Sequence, residues 1–186
     1  MRNNALGLFV IFLCAFVPMA RMAVPLEQHM AYLPLVTGGH DVEVIGCDGE
    51  PQDWAWLIEH FGAVSVEHGP GPQLVSVSCD LSGIAALIIS VEHADGTPAQ
   101  DEIVIRYWPG APELPDELKG WYDQGVYGPT NETGSIGFGL GHGDYYFPPA
   151  GGASSVWVHP GGDVIHGLGM LAGTNHYHLN LRFRVS

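Results

Sequence analysis

Apolar and polar positions change their period near residue 62. Before it, "PQDWAWLIEHFG" carries Trp54, Leu57, Ile58 and Phe61 on one helical stripe, with Asp53 placed to cap and Gly62 to stop. This predicts a helix over residues 53–61, with His60 on its surface or half-buried. After it, β-branched residues recur with period two in "AVSVE", "QLVSVS", "IAALIISVE" and "EIVIRYW". "HGPGP", "DLSG" and "HADGTPAQD" separate these runs, and "SIGFGL", "DYYF", "SSVWV" and "LNLRFRV" follow. "DVEVI" reads as one more strand ahead of the helix. Short strands divided by Gly, Pro, Asn and Asp predict an all-β, Ig-like sandwich with one short helix near the N-terminus.

The first 23 residues read differently. Arg2 precedes an uncharged apolar run at residues 5–17, too short to span a bilayer comfortably, and small residues follow. The expectation is a signal peptide over residues 1–23, cut after Ala20 or Ala23. Pro18 or Arg21 falls three residues before the cut, so an uncleaved N-terminal anchor is the alternative. The remaining division is an N-terminal segment at 24–81 and a β-sandwich domain at 82–186. Cys47 and Cys79 remain outside the signal, and two cysteines in an exported chain predict one disulfide. The localisation expected is secreted, extracellular or cell envelope, with no membrane span once the signal is gone.

Charge narrows the partners. The 186 residues include 20 acidic and 6 basic ones, a net −14, which repels phosphate backbones and argues against nucleic acid and anionic membranes. Apolar residues make up 46%, enough for a core.

Residues 84–147 carry a resemblance. "ALIISVEHADGTPAQDEIVIRYW" runs strand, Asp95-Gly96 turn, Pro98, strand. "GPTNETGSIGFGLGHGDYYF" runs Thr-Asn-x-x-Gly turn, strand, glycine turn, Gly-x-Tyr strand. The order resembles the transthyretin-like (prealbumin-like) and carboxypeptidase-regulatory-like β-sandwich modules of exported proteins. The resemblance implies a mostly non-catalytic module that supports folding, adhesion, or binding of sugars and partner proteins. It assigns no functional residue here.

Three constellations bear on chemistry. "HPGG" at His159 is also the loop that carries an axial haem ligand in small b-type cytochromes. Here a β-type run precedes it and a glycine-rich stretch follows, so a tight turn is expected, with Pro160 setting φ. Candidate metal ligands are His142, Asp144, His159, His166, His176 and His178, and Asp163 falls in the same segment. His176 and His178 would share one strand face. The competing reading is a solvated face with Tyr177 turned inward. No hydrolase elbow, zinc-protease motif or phosphate loop occurs. The third constellation is the long connection at 109–134, expected to lack regular structure. In or beside it lie Trp108, Trp121, Tyr122 and Tyr127, with Asp123, Gln124 and Asn131 as hydrogen-bonding neighbours. These rings either stack on sugars or fold back to cap the sandwich. Tyr145, Tyr146 and Phe147 follow a glycine turn, and Asn131-Glu132-Thr133 is a glycosylation sequon.

The reading is therefore a secreted, non-catalytic binding or structural module for extracellular glycan or a partner protein, with no cofactor. One alternative is a metal-binding protein or metal-dependent enzyme that uses the C-terminal histidines. The other is a self-assembling envelope or appendage subunit.

Overall fold

The computed structural model describes residues 42–61, 64–81, 86–139, 154–168 and 177–185. The stretch expected to be a signal peptide, "DYYF" with Tyr145, Tyr146 and Phe147, and three of the candidate ligands (His142, Asp144 and His176) lie outside these residues. Within them, eleven strands and one helix form two sheets.

The chain runs β1 (Glu43–Ile45), β2 (Pro51–Gln52), α1 (Trp54–Phe61), β3 (Ser65–Glu67), β4 (Gln73–Asp80), β5 (Ala86–His93) and β6 (Ile103–Tyr107). It continues through β7 (Val126–Pro129), β8 (Ser135–Gly139), β9 (Ser154–His159), β10 (Val164–Leu168) and β11 (His178–Val185). One sheet has the order β2-β1-β4-β11-β5-β8 and the other β3-β10-β9-β6-β7. The pairs β1–β4 and β5–β11 are parallel, and the rest are antiparallel. The architecture is an all-β sandwich with one short helix.

Residue 82 does not divide the chain as expected. β1, β2 and β4 precede it and β5, β8 and β11 follow it, all in one sheet, so the sandwich includes the described part, residues 42–61 and 64–81, of the segment assigned to 24–81. The cause is pairing over long range: β11 inserts between β4 and β5.

Side-chain alternation builds the core. Leu179, Leu181 and Phe183 of β11 point inward, with Leu87, Ile89 and Val91 of β5 beside them. Opposite lie Val104 of β6, Val156 and Val158 of β9 and Ile165 of β10. On β4, Leu74 and Val77 are three apart yet both fully buried. A bulge reconciles them: Phe183 faces Leu74 and Arg182 faces Ser76, leaving Val75 as the extra residue. The helix starts as its sequence predicts, with the Trp56 amide donating to Asp53 Oδ1 at 3.0 Å. Leu57 and Phe61 reach the core, and Phe61 packs against Tyr177. His60 is half-buried, stacked on Trp56.

The outer face of the six-stranded sheet is polar, with Arg182 and Arg184 of β11 pairing with Glu43 and Glu92. Such half-exposed pairs each contribute little. His178 shares this face, while Tyr177 is fully buried.

"HPGG" is a turn. It joins β9 to β10, with the Gly162 amide donating to the Val158 carbonyl at 2.8 Å and Gly161 at φ 64°. The turn docks on the connection 68–72. The Gly71 amide donates to the Gly161 carbonyl, and the Asp163 amide to the Pro72 carbonyl, each at 2.8 Å. A Cβ on Gly69 would collide with the Gly161 carbonyl, and one on Gly71 with that of Pro160. Both glycines are there for close backbone approach. Beneath them the Asp163 carboxylate, fully buried, accepts from the Gly69 amide at 3.0 Å and the Leu74 amide at 2.9 Å, with His68 Nδ1 at 3.2 Å.

The expected disulfide is present between Cys47 and Cys79. It ties the β1–β2 turn to β4 across a separation of 32 residues. No helix among the described residues is long and apolar enough to cross a membrane.

Two stability outcomes follow from this packing. Replacing both cysteines by alanine should cost about 3–4 kcal/mol of unfolding free energy, the loop-entropy scale for this separation. Gly69→Ala should cost at least about 2 kcal/mol, because two backbones would have to part. Gly139→Ala, with open space around its Cβ, should stay within about 0.5 kcal/mol of wild type. Urea unfolding of the variants checks all three, and a wild-type-like Gly69→Ala would refute the close approach.

Candidate functional site

Two of the strands are apolar on both faces. In β6, Ile103, Val104 and Ile105 run consecutively, and in β9 every residue from Ser154 to Val158 is buried. An antiparallel strand buried on both sides needs a cover on its outer face. Here the cover is the connection after β6. Leu114 is buried against Ile105, Trp157 and Val164, and Leu118, Trp121 and Tyr122 pack around them, forming a second, smaller core.

The connection is more ordered than expected from its sequence. A 3-10 turn occupies Asp116–Leu118, and Val126–Pro129 is an edge strand on β6. Gly128 and Pro129 disguised that strand. Proline is tolerated on an edge, where only one side is paired. Gly128 leaves room for Ile136, whose Cδ1 would lie 2.7 Å from any Cβ there. Segments 112–114 and 123–125 brace each other: the Leu114 amide donates to the Asp123 carbonyl at 2.9 Å, and the Gly125 amide to that of Pro112 at 2.8 Å. Lys119 closes the tip, with Nζ 2.7 Å from Asp116 and 3.0 Å from Glu113. Its hydrogen bond holds the Asp116 carboxyl below the usual range.

Trp121 pins the loop to the "HPGG" turn: its indole N–H donates to the Gly162 carbonyl at 3.0 Å. Tyr122 goes deeper. Its ring lies flat on Tyr107, centroids 3.8 Å apart, and its hydroxyl lies 3.0 Å from His166 Nδ1. Ser155 Oγ is 3.1 Å from the same nitrogen and 3.3 Å from the Tyr122 oxygen. His166 Nε2 faces Glu67 at 3.7 Å. Burial pushes the His166 pKa below its usual 6.5, and Glu67 opposes that effect. β10 is bulged beside this group, with Gly167 at φ 73°. A serine beside a histidine and a carboxylate invites a nucleophile reading. Ser155 is only 2% exposed and sits under Tyr122, so no substrate carbonyl reaches it in this arrangement.

Above the tyrosine pair opens a shallow cleft of about 410 Å³, lined by Tyr107, Glu113, Tyr122, Asp123 and Gln124. Three of the seven residues read from sequence as glycan contacts therefore line one cleft. The other four lie elsewhere. Trp121 holds the loop down. Trp108 lies under the Arg106 guanidinium at 4.9 Å, where burial pushes the arginine pKa down to about 10. Tyr127 is exposed on the edge strand β7. Asn131 Oδ1 accepts from the Thr133 amide and hydroxyl and from the Ser135 amide, building the turn from β7 to β8. Tyr107 and Glu113, which sequence reasoning missed, complete the cleft. Nothing local marks them, because their role depends on the loop folding back over β6.

Three of the metal candidates lie among the described residues, and they do not share one sheet. His159 and His166 stand on the five-stranded sheet and His178 on the other. Among the described residues, no three His, Cys, Asp or Glu side chains gather as metal ligands.

No family model, curated protein or solved structure matches this chain.

Trp121→Ala removes both a half-buried ring and its bond to Gly162. It should lower stability by about 2–4 kcal/mol in urea unfolding. A loss below about 0.5 kcal/mol would mean that the ring is not a clamp.

Proposed function

We propose that the protein is an exported, non-catalytic β-sandwich module that takes a glycan in the cleft beside Tyr122. The observation that carries this reading is the cleft itself. Tyr107 and Tyr122 form an aromatic wall, while Glu113, Asp123 and Gln124 supply hydrogen-bonding groups around it. Sugars present apolar C–H faces and a rim of hydroxyls, and both kinds of group meet here. Asp123 and Gln124 are exposed, and the brace between 112–114 and 123–125 holds their backbone. A pre-organised wall loses less entropy when a ligand binds. The disulfide supports an oxidising compartment, and the likeness of residues 84–147 to transthyretin-like modules belongs to the same proposal.

The test is a glycan array followed by calorimetry. Asp123→Asn and Gln124→Ala should each weaken the best glycan by about 1–2 kcal/mol, the scale of one hydrogen bond to a polar ligand. Both should leave thermal stability unchanged. Absence of any bound glycan, or wild-type affinity in both variants, would overturn the proposal and leave a protein partner to be sought.

A further inference from the structure

We infer that His166 is a pH-sensitive latch for the loop over the five-stranded sheet: neutral, it holds Tyr122 and the cleft wall in place, and protonated, it releases them. The inference rests on the proposed cleft only for its consequence for binding. The latch itself stands on the geometry of three groups.

The groups that face His166 come from three elements. Glu67 of β3 faces Nε2 at 3.7 Å, which suits a neutral ring with its proton on that nitrogen. Ser155 of β9 and Tyr122 of the loop face Nδ1, at 3.1 and 3.0 Å. Tyr107 of β6 stacks on Tyr122 from the other side.

Counting hydrogens gives the mechanism. With Nδ1 bare, the Ser155 hydroxyl donates to the Tyr122 oxygen and the Tyr122 hydroxyl donates to Nδ1. Two hydrogens make two bonds, and each finds an acceptor within the triangle. Protonation of Nδ1 adds a third hydrogen and removes the nitrogen as an acceptor. One hydroxyl must then turn outward from a site where Ser155 is almost wholly buried. A buried donor without a partner is costly, and lifting Tyr122 into water relieves it. The direction agrees with the lowered pKa of His166. A histidine whose folded pKa is depressed contributes stability above its usual 6.5, and this is lost as the pH falls below that value. Glu67 weakens the effect but is itself largely exposed.

Trp121 reports on the latch, because its indole N–H bridges the loop to Gly162. Trp54 is the internal control, because its indole N–H donates to the Val64 carbonyl beside the helix. The experiment is NMR exchange of the two indole protons in the whole protein at pH 7.5 and about pH 5.5, taken as a ratio. In wild type the Trp121 to Trp54 ratio should rise roughly tenfold on acidification, the mark of local opening rather than global unfolding. His166→Asn keeps an acceptor near the Nδ1 position and cannot titrate, so its ratio should be flat. Tyr122→Phe, with the ring retained and the hydroxyl gone, should give a high ratio at both pH values. An unchanged ratio in wild type would overturn the latch. So would acid dependence that persists in His166→Asn or, if that variant fails to fold, in Tyr122→Phe. Calorimetry with the best array glycan at the same two pH values separates the two claims. A loop that loosens in acid in a protein that binds no glycan sinks the proposed function and leaves the latch standing. Glycan bound equally at both pH values by a loop that stays shut sinks the latch alone.

Discussion

One buried carboxylate holds together parts of the chain nearly a hundred residues apart. Asp163 accepts backbone hydrogens from Gly69 and Leu74, and its own amide reaches Pro72. The connection into β4 is thereby joined to the turn out of β9. β4 lies in the six-stranded sheet and β9 in the other, so the clip ties the two layers. The buried amides of a bend need acceptors, and a carboxylate with two oxygens serves several at once. Gly69 and Gly71 are the steric counterpart, because a side chain at either would hold the connection and the turn apart.

The loop follows from the clip. Trp121 bonds to Gly162, a residue whose position the clip sets. With Trp121 down, Tyr122 reaches Tyr107 and His166, and Leu114 covers Trp157. The cleft is a by-product of this cover, since its walls are the residues left where the loop stops packing. Position and chemistry are thus linked: polar side chains stay exposed only where the underlying strand no longer calls for burial.

The strands with clean alternation were readable in advance, as were the helix with its Asp53 cap and the Cys47–Cys79 pair. Period two survives in β5 and β11, and in β4 on either side of its bulge, because one of their faces is wet. β7 and β10 were missed. Gly128 and Pro129 look like turn residues, and the bulge at Gly167 breaks the alternation of "VIHGL". The apolar runs in "EIVIRYW" and "SSVWV" have no polar alternation, the mark of strands covered on both sides. That points to a folded-back loop, and hence to Trp121 as a clamp rather than a free ring. Tyr107 and Glu113 lay beyond sequence reasoning, because only the tertiary path of the loop brings them to Tyr122. The same holds for Ser155 and His166, which no motif spacing joins.

The most direct measurement concerns the clip itself. Asp163→Asn preserves shape and replaces one acceptor oxygen with an NH₂ group, which must then face the amide of Gly69 or of Leu74. Urea unfolding should show a loss of about 2–4 kcal/mol, the scale of a buried acceptor turned into a clash of donors. The Trp121 indole proton should exchange faster in the variant than in wild type, because the turn that holds it has lost its anchor. A variant within about 0.5 kcal/mol of wild type, with Trp121 still protected, would contradict the claim that this carboxylate organises the fold.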